Sequence, residues 1–374
     1  MALSTYSKAV ELLEFDIVYT KPEFPSASPF FSTGPLHWPT LLLSSPKMSS
    51  KLIVLPRPGA TQSNDIIQPI QAPSEAAFVA TFGQLLPPAS YLQTPHGRAA
   101  YYELPASSPA PSDSSNPISR VLFVHGVQTS ALGMQPLASA LSSRFPHAHC
   151  VLVDQWGHGL TDTPIAPHEP ALFHALLEDL MVHLGWEDAH LIGYSFGGST
   201  TATFAVAHPE RVASMVLVAP AGLLYTSEFT DVQRSYLRGG EGSEEQARAW
   251  IFEFLEGGKL VVPSDWKERV GRGEVVAEAI REWEMKEHDG HSASVVAIIR
   301  DGGVLDNDAE FAKAAKSGIP NLSVLGELDG AVSVEKLERV GMRNIAVVPQ
   351  VGHGVVRERV PEVAGLIEDF WKGL

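Results

Sequence analysis

Residues 189–200 read Ala-His-Leu-Ile-Gly-Tyr-Ser-Phe-Gly-Gly-Ser-Thr. An apolar strand ending at Ile192 leads into Gly193-Tyr194-Ser195-Phe196-Gly197, and small residues then open a helix. This is the pattern G-x-S-x-G, in which a sharp strand-to-helix turn lifts a serine hydroxyl out of the backbone. The pattern alone is weak evidence because glycine and serine are common. Its position between a strand and a helix makes Ser195 a candidate nucleophile.

Strands and helices alternate on both sides of this turn. Short apolar strands are predicted at 120–124, 150–153, 212–218, 321–325 and 344–348, and amphipathic helices at 131–145, 170–184, 196–208 and 361–371. A β-hairpin is predicted before them, at 91–104. The alternation predicts an α/β fold with a mostly parallel sheet and helices on both faces.

The chain is predicted to have three parts. Residues 1–73 are rich in proline and serine, which predicts a poorly ordered extension, and Met48 is a candidate for an alternative translation start. Residues 74–222 and 291–374 carry the alternating pattern. Residues 223–290 are charge-rich, with helices predicted at 244–255 and 274–287, which predicts a cap over the carboxyl ends of the strands. Candidate walls of a pocket below the cap are its aromatic residues, for which packing inside the cap is the simpler interpretation: Trp250, Phe252, Phe254, Trp266 and Trp283.

An oxyanion needs fixed hydrogen-bond donors, and two backbone amides are placed to supply them. One is the amide of Phe196, at the start of the helix that follows Ser195. The other is the amide of Val127, in the loop that leaves the strand at 120–124. His125 in this loop could be read as a base, but bracing the loop is the favoured interpretation.

A base and an acid should follow the nucleophile if the chain order is Ser…Asp…His. Asp329 comes just after a strand, and His353 follows the last strand between two glycines. Flanking glycines predict an exposed, freely oriented imidazole, and its ordinary pKa of about 6.5 suits proton transfer. Glu327 is the competing acid. Asp329 is preferred because it lies further out on the loop, although an aspartate before Gly330 would also suit a simple turn.

Composition excludes several classes of function. The formal net charge of −16 over 374 residues disfavours nucleic acid and anionic membranes as partners. The single cysteine, Cys150, rules out an intrachain disulfide and is predicted to be buried in a strand. There is no apolar run of transmembrane length and no leader pattern, so a cytoplasmic protein is expected. The histidines show no ligand spacing, so no metal or cofactor is expected.

Five motifs together resemble the α/β-hydrolase superfamily, over about residues 88–374. They are the hairpin at 93–102, the His125-Gly126 loop, the turn at 154–159, the Ser195 elbow and the Asp329/His353 pair. The resemblance implies Ser195 as nucleophile, His353 as base, Asp329 as acid, and Val127 and Phe196 as oxyanion donors. His158 belongs to the turn and is interpreted as structural. Thr161 stands where the family often has serine, which affects nothing catalytic.

The function expected from these residues is hydrolysis of a carboxylic ester, including a lactone, of a small and largely apolar molecule through an acyl-enzyme. Carbon–carbon bond or thioester hydrolysis, acyl transfer and a proline-type serine peptidase could use the same residues. A small-molecule receptor on a hydrolase scaffold is the alternative from another class. The expected partner is a small-molecule substrate, and the sequence gives no oligomeric state.

Overall fold

The computed structural model describes residues 52–60, 67–109, 118–240 and 242–374. Within these residues, eight strands form one sheet in the order β1-β2-β4-β3-β5-β6-β7-β8. The hairpin strands β1 and β2 pair antiparallel with each other and β2 with β4, while the other pairs are parallel. The strands are β1 Ser90–Thr94, β2 Gly97–Leu104, β3 Arg120–Val124, β4 His149–Val153, β5 Ala189–Tyr194, β6 Val212–Val218, β7 Asn321–Gly326 and β8 Ile345–Val348.

Helices connect the parallel strands. The α-helices are α1 Glu75–Phe82, α2 Gln135–Arg144, α3 Pro170–His183, α4 Phe196–Ala207, α5 Asp231–Arg238, α6 Glu244–Glu256, α7 Trp266–Gly271, α8 Ala277–Glu287, α9 His291–Asp301, α10 Asp308–Lys316, α11 Val334–Arg339, α12 Val355–Glu358 and α13 Val360–Lys372. Short 3₁₀ turns lie at Ala131–Met134, Pro209–Arg211 and Thr226–Glu228. The predicted α/β architecture and hairpin are confirmed.

The sheet is buried on both faces. Alternate residues of β3 point into two separate apolar clusters, because successive side chains of a strand lie on opposite faces. Leu122 and Val124 belong to the cluster that includes residues of α3, α4 and α10. Val121 and Phe123 belong to the cluster that includes residues of α1, α2 and α13. Both faces are therefore covered, which accounts for the nearly continuous apolar sequence of the central strands.

Two predicted helix boundaries are wrong. The helix predicted from Ala131 begins with a 3₁₀ turn, and α2 starts at Gln135 with Pro136 in its first turn, where the missing N–H costs nothing. The helix predicted from Glu274 begins at Ala277. Glu274 instead accepts hydrogen bonds from Arg269 and Arg272, and so closes the turn between α7 and α8.

Most of the predicted N-terminal extension, including Met48, lies outside the described residues. Two of its described pieces contact the rest of the chain. Arg57 donates to the carbonyl of Leu237 and to Asp301 at the end of α9, and Ile70 forms a β-bridge with Thr163. These contacts place Arg57 and Ile70 against the rest of the chain, and the extension predicted at residues 1–73 stays a prediction.

Helices α5–α9 lie between β6 and β7 in the chain and are called the inserted helices below. Helix α9 contacts α5, α6 and α8. A parallel bridge between Leu224 and Leu305 joins the chain where it leaves β6 and where it returns towards β7. The cap boundaries at 223 and 290 stay a prediction.

Candidate active site

Ser195 lies at the carboxyl end of β5, the strand that is buried along its whole length. Its backbone has φ 53° and ψ −117°, a conformation that non-glycine residues rarely adopt. The strain is held in place from both sides: the Ser195 amide donates to Val218 of β6, and its carbonyl accepts the amides of Gly198 and Ser199 in α4. The chain therefore makes the sharp strand-to-helix turn that the sequence pattern predicts.

The glycines around Ser195 are required by close packing. A methyl group on the α-carbon of Gly193 would overlap the carbonyl oxygen of Gly197, and one on Gly197 would overlap the carbonyl oxygen of Val124. A methyl group on Gly126 would lie 2.9 Å from the β-carbon of Ser195. The turn can therefore form only because these three positions carry no side chain.

His353 bridges Ser195 and Asp329. Its Nδ1 lies 2.9 Å from Oδ2 of Asp329, and its Nε2 lies 2.9 Å from Oγ of Ser195. Since a carboxylate only accepts, Nδ1 donates to Asp329 and Nε2 accepts the serine hydroxyl proton. Three loops that are distant in sequence thus bring a hydroxyl, an imidazole and a carboxylate into one hydrogen-bonded chain.

The Asp329 carboxylate is fixed by both of its oxygens. Its side chain has 0% exposure, and Oδ1 accepts the amide of Ala331 at 2.8 Å while Oδ2 accepts from His353. The turn interpretation and the acid interpretation are therefore compatible, because the turn aims the carboxylate at the imidazole. The imidazole is 38% exposed and held at both nitrogens, so the expectation of a freely oriented ring is wrong.

Glu327, the competing acid, binds the loop that carries His353. It is exposed, and its Oε2 accepts the amide of Gln350 at 2.8 Å. Together with the hydrogen bond from the Leu328 amide to Val351, this ties the loop of Asp329 to the loop of His353. Glu327 therefore braces the two loops.

Tyr194 packs beside the imidazole, a contact that the sequence reasoning missed. The ring is 5% exposed and its centroid is 5.4 Å from that of His353. The guanidinium of Arg357 lies 5.2 Å from the same tyrosine ring, in a cation–π arrangement. The position of Tyr194 directly before Ser195 was the available signal.

The two candidate oxyanion donors have free amides. Within the described ranges, neither the Val127 amide nor the Phe196 amide has a hydrogen-bond acceptor in the structure. Phe196 is fully buried, with its ring edge-on to Phe173 at 5.0 Å, so the start of α4 is held rigidly. The positive end of the α4 dipole adds to the attraction of this amide for an anion.

His125 braces the Val127 loop. Its Nε2 accepts the amide of Gln155 at 2.9 Å, so its Nδ1 carries the proton and donates to the Gly126 carbonyl at 2.7 Å. Burial lowers the pKa of His125 to about 4. The imidazole is therefore neutral at neutral pH and has both nitrogens occupied, as a bracing role requires.

Two carboxyl groups are fully buried below this loop. Asp154 accepts hydrogen bonds from Tyr102, Leu160 and Ala131, and burial raises its pKa to about 6. Glu284 of α8 accepts the Gly159 amide, and burial, reinforced by the Asp154 charge, raises its pKa well above the ordinary value. The sequence did not identify either carboxyl group as a buried hydrogen-bond acceptor.

The predicted wall aromatics pack against other rings. Trp283 is 6% exposed and contacts Phe78 of α1, and Trp250 stacks on Phe254. Trp266 and Trp283 line a surface groove of about 430 Å³, whose lining does not include Ser195. Packing, the simpler interpretation, accounts for these rings.

The described residues contain neither a cluster of metal ligands nor a membrane-spanning helix. No group of three or more histidine, cysteine, aspartate or glutamate side chains in that part of the chain could hold a metal ion. None of the helices there is both long enough and apolar enough to cross a bilayer. The cytoplasmic location stays a prediction.

Comparison with known proteins supports the fold. A family model described as alpha/beta hydrolase fold matches residues 119–267. The 2-(acetamidomethylene)succinate hydrolase of Mesorhizobium japonicum is 30% identical over 145 residues, which are 39% of this chain and 50% of that protein. Carboxylesterase YbfK of Bacillus subtilis is 34% identical over 134 residues, 35% of this chain and 44% of that protein. The chain thus spans half or less of the length of these curated relatives.

Solved structures match over a longer range. The enol-lactonase from Burkholderia xenovorans LB400 has a TM-score of 0.55 and 18% sequence identity, and the match covers 76% of this chain and 100% of that chain. At this identity the likeness concerns the fold. The chain therefore has the α/β-hydrolase fold, and residues 119–267 are similar to the family described by that name.

Proposed function

We propose that this protein is a serine hydrolase that cleaves a carboxylic ester, including a lactone, of a small and largely apolar molecule. The observation that carries the proposal is the hydrogen-bonded chain from Ser195 through His353 to Asp329, with 2.9 Å at both contacts. The strained backbone of Ser195 and the free amides of Val127 and Phe196 support it. A serine that only happened to lie near a histidine on the surface would need neither a bound carboxylate, nor a strained backbone, nor free amides beside it.

The geometry supports a two-step reaction. Nε2 of His353 takes the hydroxyl proton while Oγ of Ser195 attacks the substrate carbonyl carbon, and Asp329 stabilises the imidazolium. The Val127 and Phe196 amides hold the carbonyl oxygen as its charge develops. The imidazolium returns the proton to the leaving alcohol, which leaves an acyl-Ser195. Water gives a proton to His353 as its oxygen attacks the acyl carbon. The imidazolium then returns that proton to Oγ of Ser195 as the acid is released, which restores the enzyme.

The substrate class rests on the relatives. A carboxylesterase and an enol-lactonase are among the proteins that resemble this chain, and a lactone is a cyclic ester. The helices predicted as a cap, 223–290, are proposed to cover the bound molecule. A small-molecule substrate is the partner that this arrangement needs.

Labelling with a fluorophosphonate probe tests the proposal. Wild-type protein should be labelled, and Ser195→Ala should lose the label while its melting temperature is retained. Ser199→Ala is the matched control, because Ser199 is a buried serine one turn along the same helix whose Oγ donates to the Gly303 carbonyl. Absence of label on wild-type protein, or label retained by Ser195→Ala, contradicts the proposal.

Turnover of p-nitrophenyl acetate and butyrate separates an enzyme from a receptor. An enzyme should release many equivalents of p-nitrophenol for each protein molecule. A receptor on the same scaffold would release a single equivalent and then stop. A single equivalent from every ester in a panel of graded acyl length would therefore contradict hydrolysis as the function.

A further inference from the structure

The loop that carries Val127 is held by hydrogen bonds to the turn at residues 154–160. Besides the bonds to His125, the Ala131 amide donates to Oδ1 of Asp154 at 2.7 Å and the Gln128 amide donates to Nε2 of His158 at 3.2 Å. Two hydrogen bonds hold the peptides on either side of Val127. His125 donates to the Gly126 carbonyl, in the peptide that carries the Val127 N–H, and His158 accepts the Gln128 amide, in the next peptide. The orientation of the Val127 amide therefore depends on His125 directly and on His158 through the following peptide.

Gln128 has a backbone conformation that is costly for its residue type. Its φ is 63°, in the left-handed region that favours glycine. The side chain is 3% exposed, so the residue is enclosed as well as strained. A strained conformation persists only where its surroundings hold it, and the hydrogen bond from its own amide to His158 is the direct restraint on it.

His158 is built to accept this bond. It is fully buried, and its Nδ1 lies 3.0 Å from the Trp156 carbonyl. A carbonyl only accepts, so the proton is on Nδ1, and Nε2 is left as the acceptor for Gln128. The ring is confined by His125 at 5.2 Å and by His291 of α9 at 4.7 Å. Burial and these neighbours lower the pKa of His158 well below its ordinary value, so the acceptor stays available.

The inserted helices hold the turn that carries His158. Glu284 accepts the Gly159 amide, Nδ1 of His291 lies 2.9 Å from the Gly157 carbonyl, and Ser294 donates to the Trp156 carbonyl at 2.9 Å. Nε2 of His288 lies 2.9 Å from the Thr161 carbonyl, further along the same segment. The inserted helices thus hold the backbone on both sides of His158.

We propose that His158 is a positioning residue for the oxyanion site: by accepting the Gln128 amide, it aims the Val127 amide at the carbonyl carried by Ser195. The inference rests on the proposed function, and it goes beyond the structural interpretation of His158 in its turn. It assigns a task in the transition state to a residue that touches neither substrate nor Ser195.

His168 provides a matched control. It is also fully buried, and its Nδ1 makes the same contact, 3.0 Å to the carbonyl two residues earlier, that of Ala166. Its Nε2, however, has no hydrogen-bond partner among the described residues. Replacing either histidine by leucine removes a buried imidazole of similar environment, but only His158→Leu removes the support of the Val127 loop.

The test compares these variants with two reagents. One is the substrate p-nitrophenyl acetate, and the other is a trifluoromethyl ketone inhibitor, to which the serine adds to give a hemiketal whose oxygen is an alkoxide. His158→Leu should lower kcat by at least about tenfold, part of the ~10²–10³-fold loss seen when an oxyanion donor is removed. Its KM should change by less than about threefold, and its inhibition constant for the ketone should rise in proportion to the loss of kcat/KM. His168→Leu should keep kcat/KM within about threefold of wild type.

A second pair covers the case in which His158→Leu does not fold. The oxygen of His158→Gln can reach the position of Nε2, whereas that of the shorter His158→Asn cannot. The glutamine variant should be at least about tenfold more active.

The results that would contradict the role of His158 differ from those that would contradict the proposed function. Equal activity of His158→Leu and His168→Leu, equal activity of the two amide variants, or a rise in KM alone overturns the role of His158 and leaves the proposed function intact. Wild-type protein with neither turnover nor fluorophosphonate label overturns the proposed function, and this inference with it.

Discussion

Gly326 packs directly against Gly352, at the point where the loop of Asp329 meets the loop of His353. A methyl group on the α-carbon of Gly326 would overlap the carbonyl oxygens of both Val351 and Gly352. Since β7 and β8 are neighbouring parallel strands, their carboxyl ends lie side by side, and the missing side chain lets the loops close on each other. The contact between Asp329 and His353 therefore depends on a residue that takes part in no chemistry.

Gly326→Ala should separate the two loops. Overpacking of this kind costs about 1–3 kcal/mol in free energy of unfolding, and a displacement of about 1 Å between reacting groups can cost ~10²-fold in rate. Gly330→Ala is the control, because a methyl group there would meet nothing within 4 Å. Urea denaturation and kcat/KM for p-nitrophenyl acetate measure both effects. Equal results for the two variants would contradict the loop contact.

Asp329→Asn should lower kcat by about 10⁴-fold, as expected when the carboxylate that fixes the imidazole tautomer is lost. Glu327→Gln is the matched control. Its amide oxygen can still accept the Gln350 amide, so kcat should fall by less than about tenfold. Steady-state kinetics with one ester decides between the two acids. A greater loss for Glu327→Gln would assign the acid to Glu327.

Replacing the Glu284 carboxyl group should cost little stability if the new side chain keeps a hydrogen-bond acceptor, and more if it does not. Because burial raises its pKa well above the ordinary value, the fold favours the uncharged form, and glutamine can replace it at a cost of less than about 1 kcal/mol. Glu284→Met keeps the volume but leaves the Gly159 amide unpaired, at a cost of about 1–3 kcal/mol. Thermal and urea unfolding would contradict this if glutamine cost as much as methionine.

Stability should fall as the pH falls below 7. Burial lowers the pKa of seven histidines, so the unfolded chain binds protons near its ordinary pKa of about 6.5 that the folded chain does not bind. They are His125, His158, His168, His174, His190, His288 and His291. The raised pKa values of Asp154, Glu256 and Glu284 act in the opposite sense, because the folded chain then keeps protons that the unfolded chain releases. Seven groups against three leave a net loss.

We expect the free energy of unfolding to decrease by at least about 2 kcal/mol between pH 7 and pH 5.5, since each proton bound only by the unfolded chain contributes about 1.4 kcal/mol per pH unit. Urea titrations at the two pH values measure it. His168→Gln, which lacks one of the seven groups, should show a smaller decrease. A chain equally stable at both pH values would contradict the neutral state of these histidines.

The sheet and the position of Ser195 could be predicted because they follow from local patterns. Each strand of the core is a short apolar run, and the glycines at 193 and 197 are visible in the sequence as the relief that a sharp turn needs. The choice of Asp329 over Glu327 also followed from position on a loop. The structure gives the physical reason, which is that the Ala331 amide fixes the carboxylate from the other side.

Contacts between distant segments could not be predicted in the same way. Glu284 looks like a surface residue of a charged helix, and His291 stands at the start of the next helix. Only the tertiary fold buries both against the turn at 154–160. Helix α5 did carry a local signal that was missed. Thr230 and Gln233 form a capping box, recognisable as Thr-x-x-Gln before the helix.

Trapping the acyl-enzyme tests the central claim most directly. Wild-type protein is mixed with p-nitrophenyl acetate, quenched in acid within the first turnover, digested with protease and mapped by mass spectrometry. We predict one acetyl group, carried by the peptide that contains Ser195 and absent from that peptide in Ser195→Ala. Ester turnover with the acetyl group on another residue, or with no acylated peptide in a quench series that spans the first turnover, would contradict the account.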